Sequence, residues 1–546
     1  MRKATMSLFV VCLLLAMSLL PKFVCLKAQY IEPYSYSSSG LAQQYLYDGT
    51  IKWRPYIEAP SSWQEHANGI SERPASSVLL ITLSLCMGVS VDDLALLPVT
   101  GLIFILLFFV FAKTFSDSHF VVYLSVITLS FDSLINMTTF NIYYIAYGFN
   151  LLAVFLILYI KMLGVREGTR TYPALLLVIF LASYFSYYTA ELMSIAFASS
   201  ITAVTLILQK KKAKASTLPL IFLIVFIAFD QVFGLYLSWR PWTNGPTYFR
   251  EIANYFFNFL TSGTIAVQQR GLFIGNINLV YVEFMLRTLL ILPILTYLAL
   301  RAIRFLKAYR LKGKTGFGFN GTVFTSLILV VVADLIVYIN LGVVDYRGFY
   351  LFFPLLAFSS IERLRAQLRR KKILARAAPL LIVASLLIPI LTSSKFLIGM
   401  QEQSSSLTSG YYDLMKPSTS WAASNINYGA IITNYHTAGL LFERTIFSHK
   451  GDELLIYFLQ FDEVIDALAS KNVTQTDEYF RRKGYSYALL STEMQTKVTY
   501  IGAWAIEGRV APLGPYTFTF NNFTIFNKIY DDGRGLLYVH NGIISG

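Results

Sequence analysis

Over the first 394 positions, apolar residues come in blocks of about twenty separated by short polar stretches. That block length is what a helix needs to cross a bilayer. The blocks predict eleven spans, near 6–26, 92–112, 120–135, 142–160, 171–188, 190–209, 216–237, 280–300, 320–342, 346–361 and 377–394. One further apolar stretch, 74–90 (PASSVLLITLSLCMGVS), is predicted to lie on the outer surface or dip into it, because a crossing there would move every later basic loop to the other side. The block 6–26 follows MRKAT and also has the form of a signal peptide. No convincing small-x-small cleavage site follows it, so it is predicted to stay as the first span.

From residue 395 the pattern changes. WAASNIN reads as helix, AIITNYH as strand, TAGLLFER as helix and YALLST as strand. FNKIYDDGRGLLYV reads as a hairpin with Asp-Gly at its turn. The predicted fold class is therefore a multi-pass α-helical membrane protein with about 11 transmembrane helices and a C-terminal extracytoplasmic α/β domain. Its parts are a transmembrane domain over 1–394, with external loops at 28–91 and 238–279, and the α/β domain over 395–546.

Composition agrees. Hydrophobic residues make up 55% of the 546 positions and charged ones 14%, against about a quarter charged in an ordinary soluble domain. Such a chain lacks the polar side chains to cover a water-facing surface, which excludes a soluble cytosolic enzyme, and it is too apolar to remain disordered. The net charge of +14 would point to nucleic acid if it were spread evenly, and it is not. Six short stretches (1–3, 113–119, 161–170, 210–214, 301–314 and 363–376) hold 23 of the basic residues, with three acids in or beside them. The rest of the chain carries 22 basic and 28 acidic residues. Basic loops stay cytoplasmic, so the charge places the N-terminus inside the cell membrane and the tail outside. Membrane lipids, and no nucleic acid, are the partners it implies. Cys12, Cys25 and Cys86 sit in or beside apolar stretches and suggest neither a disulfide framework nor a metal cluster.

No phosphate loop, no HExxH and no Cys/His set at metal spacing occurs, so neither a metal nor a cofactor is predicted. The charges in or near spans are more informative: Asp132, Glu191, Asp230, Glu283, Arg287, Asp334, Asp345 and Arg347. A charge in lipid costs a few kcal/mol, so these residues either reach the headgroups or together line a polar cavity opening outward. Arg347 at the outer end of its span is a candidate clamp for a lipid phosphate, since a guanidinium donates paired hydrogen bonds to phosphate. The alternative is a surface pair with Asp345. Arg240, between two tryptophans, and Arg73, before Pro74, are further phosphate candidates. The acids of the first loop are candidates for a general base that takes the proton of an acceptor hydroxyl.

Four features carry a resemblance. They are the order of parts, the stretch RPASSVLLITLSLCMGVSVDDLALLPVTGLIFILLFFVFAK, the stretch SYFSYYTAELMSIAFASSI, and the ending FNKIYDDGRGLLYV. On these the chain resembles the GT-C superfamily, the multi-pass glycosyltransferases that use polyprenyl-phosphate sugars, especially its archaeal members. The resemblance implies transfer of a sugar from a dolichyl-phosphate donor to an extracytoplasmic glycan, lipid or protein acceptor. It also implies an acid in the first external loop as base or acceptor-site group. The family's Asp is expected about a dozen residues before GTIKW, where this chain has Tyr36-Ser37-Ser38-Ser39. Asp48, or Glu65 with His66, remain for that role. Tyr184 and Tyr187 stand near the place of a family histidine, and the WWDYG motif of the oligosaccharyltransferase branch is absent. Two other readings stay open: a catalytically degenerate glycan- or lipid-binding protein of the same fold, and a polytopic transporter or flippase.

Overall fold

The computed structural model describes residues 33–51, 74–130, 144–164, 171–209, 217–233, 294–301, 321–331, 347–367, 411–447, 454–458, 473–492 and 524–544, with positions 12, 16, 142, 273–274, 277–278, 303, 383, 387 and 520. The chain divides into two compact units. One comprises Met1–Lys22, Pro98–Phe140 and Ile145–Lys395, the other Phe23–Leu97, Asn141–Tyr144 and Phe396–Gly546.

Apart from a short antiparallel pair, Phe273–Ile274 with Ile277–Asn278, the elements described in the first unit are helices. Its described helices include Val99–Phe115, His119–Ser130, Thr171–Tyr184, Tyr188–Gln209, Leu218–Phe233 and Arg347–Gln367. On Val99–Phe115, Phe104, Phe108, Phe111 and Phe115 recur at helical spacing and are all buried. The Phe104 ring lies 6.3 Å from Phe149, and the Phe111 ring 5.9 Å from Phe352. Another stripe of the same helix, Ile103, Leu106 and Val110, is 42–44% exposed. Leu218–Phe233 likewise leaves Leu220 59% and Ile224 56% exposed. Helices apolar both where they pack and where they are bare are stable only where the bare side meets something other than water. Among the described residues, two helical stretches, Val91–Phe115 and Ile145–Leu163, are long and apolar enough to cross a membrane, and six shorter apolar helices accompany them. The spans predicted near 6–26, 280–300 and 377–394 lie wholly or mainly outside the described residues.

The stretch Val91–Phe115, which holds the second predicted span, is broken near its start. Leu97 precedes a proline, whose ring disfavours helical backbone in the residue before it. Leu97 is accordingly extended (φ −78°, ψ 137°), so a short helix ends at Leu96 and the long one starts at Val99.

The basic stretches also find a structural counterpart. Arg301 and Arg363 both donate to the Tyr297 hydroxyl, Arg363 at 3.2 Å, and the Arg363 guanidinium lies 4.4 Å from the centre of the Phe324 ring. Phe324 in turn sits 6.1 Å from Phe115, two residues beyond Lys113. Three of the six basic stretches thus meet at one end of this unit.

The second unit opens with α1 (Pro33–Asp48), α2 (Ala75–Met87) and α3 (Val91–Leu96). It continues with α4 (Tyr411–Asn425), β1 (Gly429–Thr433), α5 (Tyr435–Phe447), β2 (Leu454–Phe458) and α6 (Val473–Lys483). It ends with β3 (Tyr487–Ser491), β4 (Phe526–Asp531), β5 (Gly535–His540) and α7 (Asn541–Ile544). The strands form one sheet in the order β2-β1-β3-β5-β4, with β1 parallel to both neighbours and β5 antiparallel to both of its own. Period-two alternation builds two cores. Ile431, Leu489 and Leu537 pack with Ala422, Leu440 and Leu441 of α4 and α5 on one face. Ile432, Leu490 and Tyr538 pack with Phe480 of α6 on the other. His540, fully buried, places Nε2 2.7 Å from Asp477 Oδ1, which also accepts from Arg481 at 2.9 Å, fastening α6 to the last strand. Strand β2 and helix α6 were not predicted, and α4 starts ten residues before the predicted WAASNIN helix and ends at Asn425 within it, whereas β1, α5, β3 and the final hairpin overlap their predicted segments closely.

The hairpin shows why Asp-Gly is needed. Asp531 and Asp532 accept backbone N–H groups of Gly533, Arg534 and Gly535 at 2.8, 2.9 and 2.6 Å, and Gly533 adopts φ 82°. Gly535 then passes so close under α4 that a methyl group there would overlap the Ser418 side chain. Gly535→Ala is expected to cost on the order of 1–3 kcal/mol by overpacking, read as a lowered thermal midpoint of the purified protein. An unchanged midpoint would mean that α4 yields at this point.

Candidate functional site at the first-loop helix

Helix α1 is a serine-rich segment (PYSYSSSGLAQQYLYD) of weak intrinsic helicity, so packing has to hold it. Two of its faces do so. Ser38, Leu41 and Tyr45 are buried on one face, where the Ser38 hydroxyl lies 3.3 Å from that of Ser76, and Ser77 donates to the Ser38 carbonyl at 3.0 Å. Small side chains on both helices let the backbones approach closely. Ser39 and Gln43, four residues apart, share the next face. Ser39 Oγ donates to Glu443 Oε1 of α5 at 2.8 Å, and Gln43 Nε2 donates to Asp92 Oδ1 of α3.

Local sequence sets Asp92. Helix α2 stops at Gly88, which takes φ 66° and donates its N–H to the Ser84 carbonyl at 2.9 Å. After Val89, Ser90 caps α3. Its hydroxyl accepts the Asp93 N–H at 3.1 Å and donates to the Asp93 carboxylate at 2.7 Å. Asp92 and Asp93 then occupy the first turn, where the helix dipole favours negative charge. Glu443 comes from the tail, and only 2% of its surface is exposed.

The two carboxyls lie close enough to perturb each other's ionisation. Burial, and then the charge of Asp92, push the Glu443 carboxyl up to about 8, against the pull of Arg444. Burial also raises Asp92, opposed by Arg444 and Lys416. Two buried carboxylates in contact do not both ionise near neutrality, so the pair keeps one proton, held by Glu443. Glu443 Oε2 has no hydrogen-bond partner among the described residues. So enclosed a carboxyl does not touch substrate. Its chemistry is to hold α1, α3 and α5 in one arrangement.

Asp48 is the last residue of α1, half-buried and followed by Gly49 at φ 65°. It falls one turn beyond Tyr45, on the face directed to α2 and away from Ser39 and Gln43. A helix C-terminus gives a carboxylate no help from the dipole, so Asp48 is not placed to stabilise its own helix. Arg347 is the first residue of Arg347–Gln367 in the other unit. Glu65, His66, Arg73 and Arg240 lie outside the described residues. Tyr184 and Tyr187 are buried in aromatic contacts, with Phe229 at 5.7 Å and Phe149 at 5.6 Å. Glu191 is buried in the first turn of Tyr188–Gln209. Among the described residues, no group of three or more His, Cys, Asp or Glu is placed to hold a metal ion.

The sequence reading missed Ser39, Gln43, Asp92 and Glu443. One signal was available: Glu443 lies at helical spacing from Leu440 and Phe447, an acid on the apolar stripe of an amphipathic helix. The place where the resemblance expects an Asp, Tyr36–Ser39, lies within α1, and its Ser39 reaches that same carboxyl.

No protein-family model matches the sequence, and no curated protein matches it. Several solved structures share its chain trace in part. The Archaeoglobus fulgidus oligosaccharyltransferase in its apo form aligns over 88% of this chain and 70% of its own, at 12% identity and TM-score 0.49. The same organism's oligosaccharyltransferase AglB, in complex with an inhibitory peptide and a dolichol-phosphate, aligns over the same shares at 12% identity and TM-score 0.48. ArnT from Cupriavidus metallidurans bound to undecaprenyl phosphate aligns over 97% of both chains, at 13% identity and TM-score 0.45.

Proposed function

We propose that this chain is a multi-pass membrane glycosyltransferase of GT-C type, transferring a sugar from a polyprenyl-phosphate donor, dolichyl phosphate by the resemblance, to an extracytoplasmic glycan, lipid or protein acceptor. The observation that carries the reading is the construction of the second unit. A first-loop helix ending in Asp48 is built together with the tail's α/β sheet, so that an acid of the first loop stands on a rigid support. The helices with bare apolar stripes supply the membrane part.

In the proposed reaction Asp48 accepts the proton of the acceptor hydroxyl, with Glu65 and His66 as the alternative base. The hydroxyl oxygen forms a bond to the anomeric carbon as the bond from that carbon to the phosphate oxygen breaks. The polyprenyl phosphate leaves with the electron pair, its charge met by Arg73, Arg240 or Arg347. The N-terminus faces the cytoplasm, and the tail, following the eleven predicted spans, lies outside. Loss of the acid from the Tyr36–Ser39 position favours one second reading, a glycan-binding relative without turnover.

The deciding measurement is the mass profile of glycoproteins and polyprenyl-linked glycans from a deletion strain beside its parent. Loss of one sugar residue, restored by the wild-type gene, is the expected result. An unchanged profile, with no redundant relative expressed, would overturn the transferase reading. Turnover by the purified protein would eliminate the binding reading.

A further inference from the structure

The carboxyl pair joins parts of the chain that the proposed reaction treats separately. Ser39 and Glu443 are 404 positions apart, and Gln43 and Asp92 are 49 apart. All four side chains close on one another between α1, α3 and α5. The ionisable groups facing the pair are few. Helix α3 brings Asp92 and Asp93, α4 brings Lys416, and α5 brings Glu443 and Arg444. Helix α1 contributes the uncharged Ser39 and Gln43, and the neighbouring helix α2 (ASSVLLITLSLCM) has no acid or base.

We propose that Glu443, sharing one proton with Asp92, is a positioning residue: an acid-tightened clasp that holds the first-loop helix α1, and with it Asp48, against the tail domain. The link to Asp48 rests on the function proposed above; the clasp does not. While the proton is present, Glu443 accepts from Ser39 through Oε1 and faces Asp92 as a neutral acid. When it leaves, a buried carboxylate faces a partly buried one, with Arg444 and Lys416 the cations near them.

The direction of the pH effect follows. In the closed clasp Glu443 holds its proton up to about pH 8, against an ordinary glutamate value of 4.5. The closed form therefore binds more protons than the open form between those limits, and closure weakens as pH rises through that window and levels off above it. One proton sets a ceiling of about tenfold in the opening equilibrium per pH unit, or about a hundredfold between pH 6 and pH 8.

The test is amide hydrogen exchange of residues 33–48 in the full-length purified protein, corrected for the intrinsic pH dependence of exchange. Wild type is expected to lose protection in α1 from pH 6 to pH 8 by up to about fiftyfold, half that ceiling because the Glu443 proton is half lost at about pH 8. E443Q keeps the Ser39 hydrogen bond without the titration, so it is expected to stay protected and to change less than about threefold over the range. E443A is expected to be poorly protected throughout, with E443Q as its rescue. Wild-type protection that does not change with pH, or a loss in E443Q equal to that in wild type, would overturn the proposal. Exchange is read without donor or acceptor, so its result does not depend on the transferase reading. If the clasp titrates while Asp48→Asn leaves sugar transfer intact, the base assignment fails and the clasp stands.

Discussion

Asp48→Asn is expected to lower sugar transfer by at least about a hundredfold, the smaller end of what general acid–base catalysis contributes, with the thermal midpoint held within a few degrees. The substitution is nearly isosteric and removes only the capacity to take a proton. One feature bears on the stability half of the expectation. Asp48 sits at the C-terminal end of its helix, where a negative charge brings no dipole stabilisation, so neutralising it gives up no favourable interaction with the helix dipole. The measurement pairs turnover by purified protein with a melting curve. Full activity in Asp48→Asn, with loss of activity in Glu65→Gln, would move the base to Glu65 and its neighbour His66. Full activity in both would end the first-loop base assignment.

The second large effect is on stability. Glu443→Ala removes the acceptor of the Ser39 hydroxyl, opens space in a closed site, and leaves Asp92 partly buried without the carboxyl it was paired with. Breaking a buried polar pair by deleting one member costs about 3–5 kcal/mol, far more than an exposed pair is worth. A drop of several degrees in the thermal midpoint is the expected reading for a protein of this size. Glu443→Gln should recover most of it, since the amide fills the same space, is uncharged like the protonated acid and still accepts from Ser39. A midpoint for Glu443→Ala equal to wild type would show that the site fills or hydrates freely, and that the pair holds nothing together.

Much of this architecture can be read from local pattern. Helix α5, strands β1 and β3 and the Asp-Gly hairpin each carry their own signal, either an amphipathic repeat or turn residues of the right type. Strand β2 (LLIYF) gave no such sign, because five apolar residues in a row fit a buried strand or a piece of helix equally well. Helix α6 (VTQTDEYFRRK) is polar on most of its surface and buries only Thr476, Tyr479 and Phe480, so its helical stripe is too short to stand out. Helix α1 escaped for a different reason. Its serines oppose a helix locally and become assets only once Ser76, Ser77 and Glu443 are there to receive them. The site divides along the same line. Asp48 was a candidate, beside Glu65 with His66, because the resemblance implies an acid in the first external loop. The Asp92–Glu443 pair was not, since no spacing rule connects two acids on helices so far apart in the chain. The stretch of the second predicted span is interrupted at a single residue, where Pro98 forces Leu97 out of helix although the hydropathy runs on unbroken.

The separation of Ser39 from Glu443 also bears on how the molecule is made. At synthesis rates of about 5–20 residues per second, the 404 positions between them take about 20–80 s to appear. Throughout that interval α1 exists without the helix that will receive its Ser39 face, and its serine-rich sequence cannot sustain a helix unaided. In the proposed topology the first loop therefore waits on the outer side, unfolded or held by α2 alone, while the later spans insert. Its final docking is among the last events of assembly. A chain truncated before α5 would carry every span and still lack a formed first loop, so the tail acts on the first loop as a late, intramolecular folding partner.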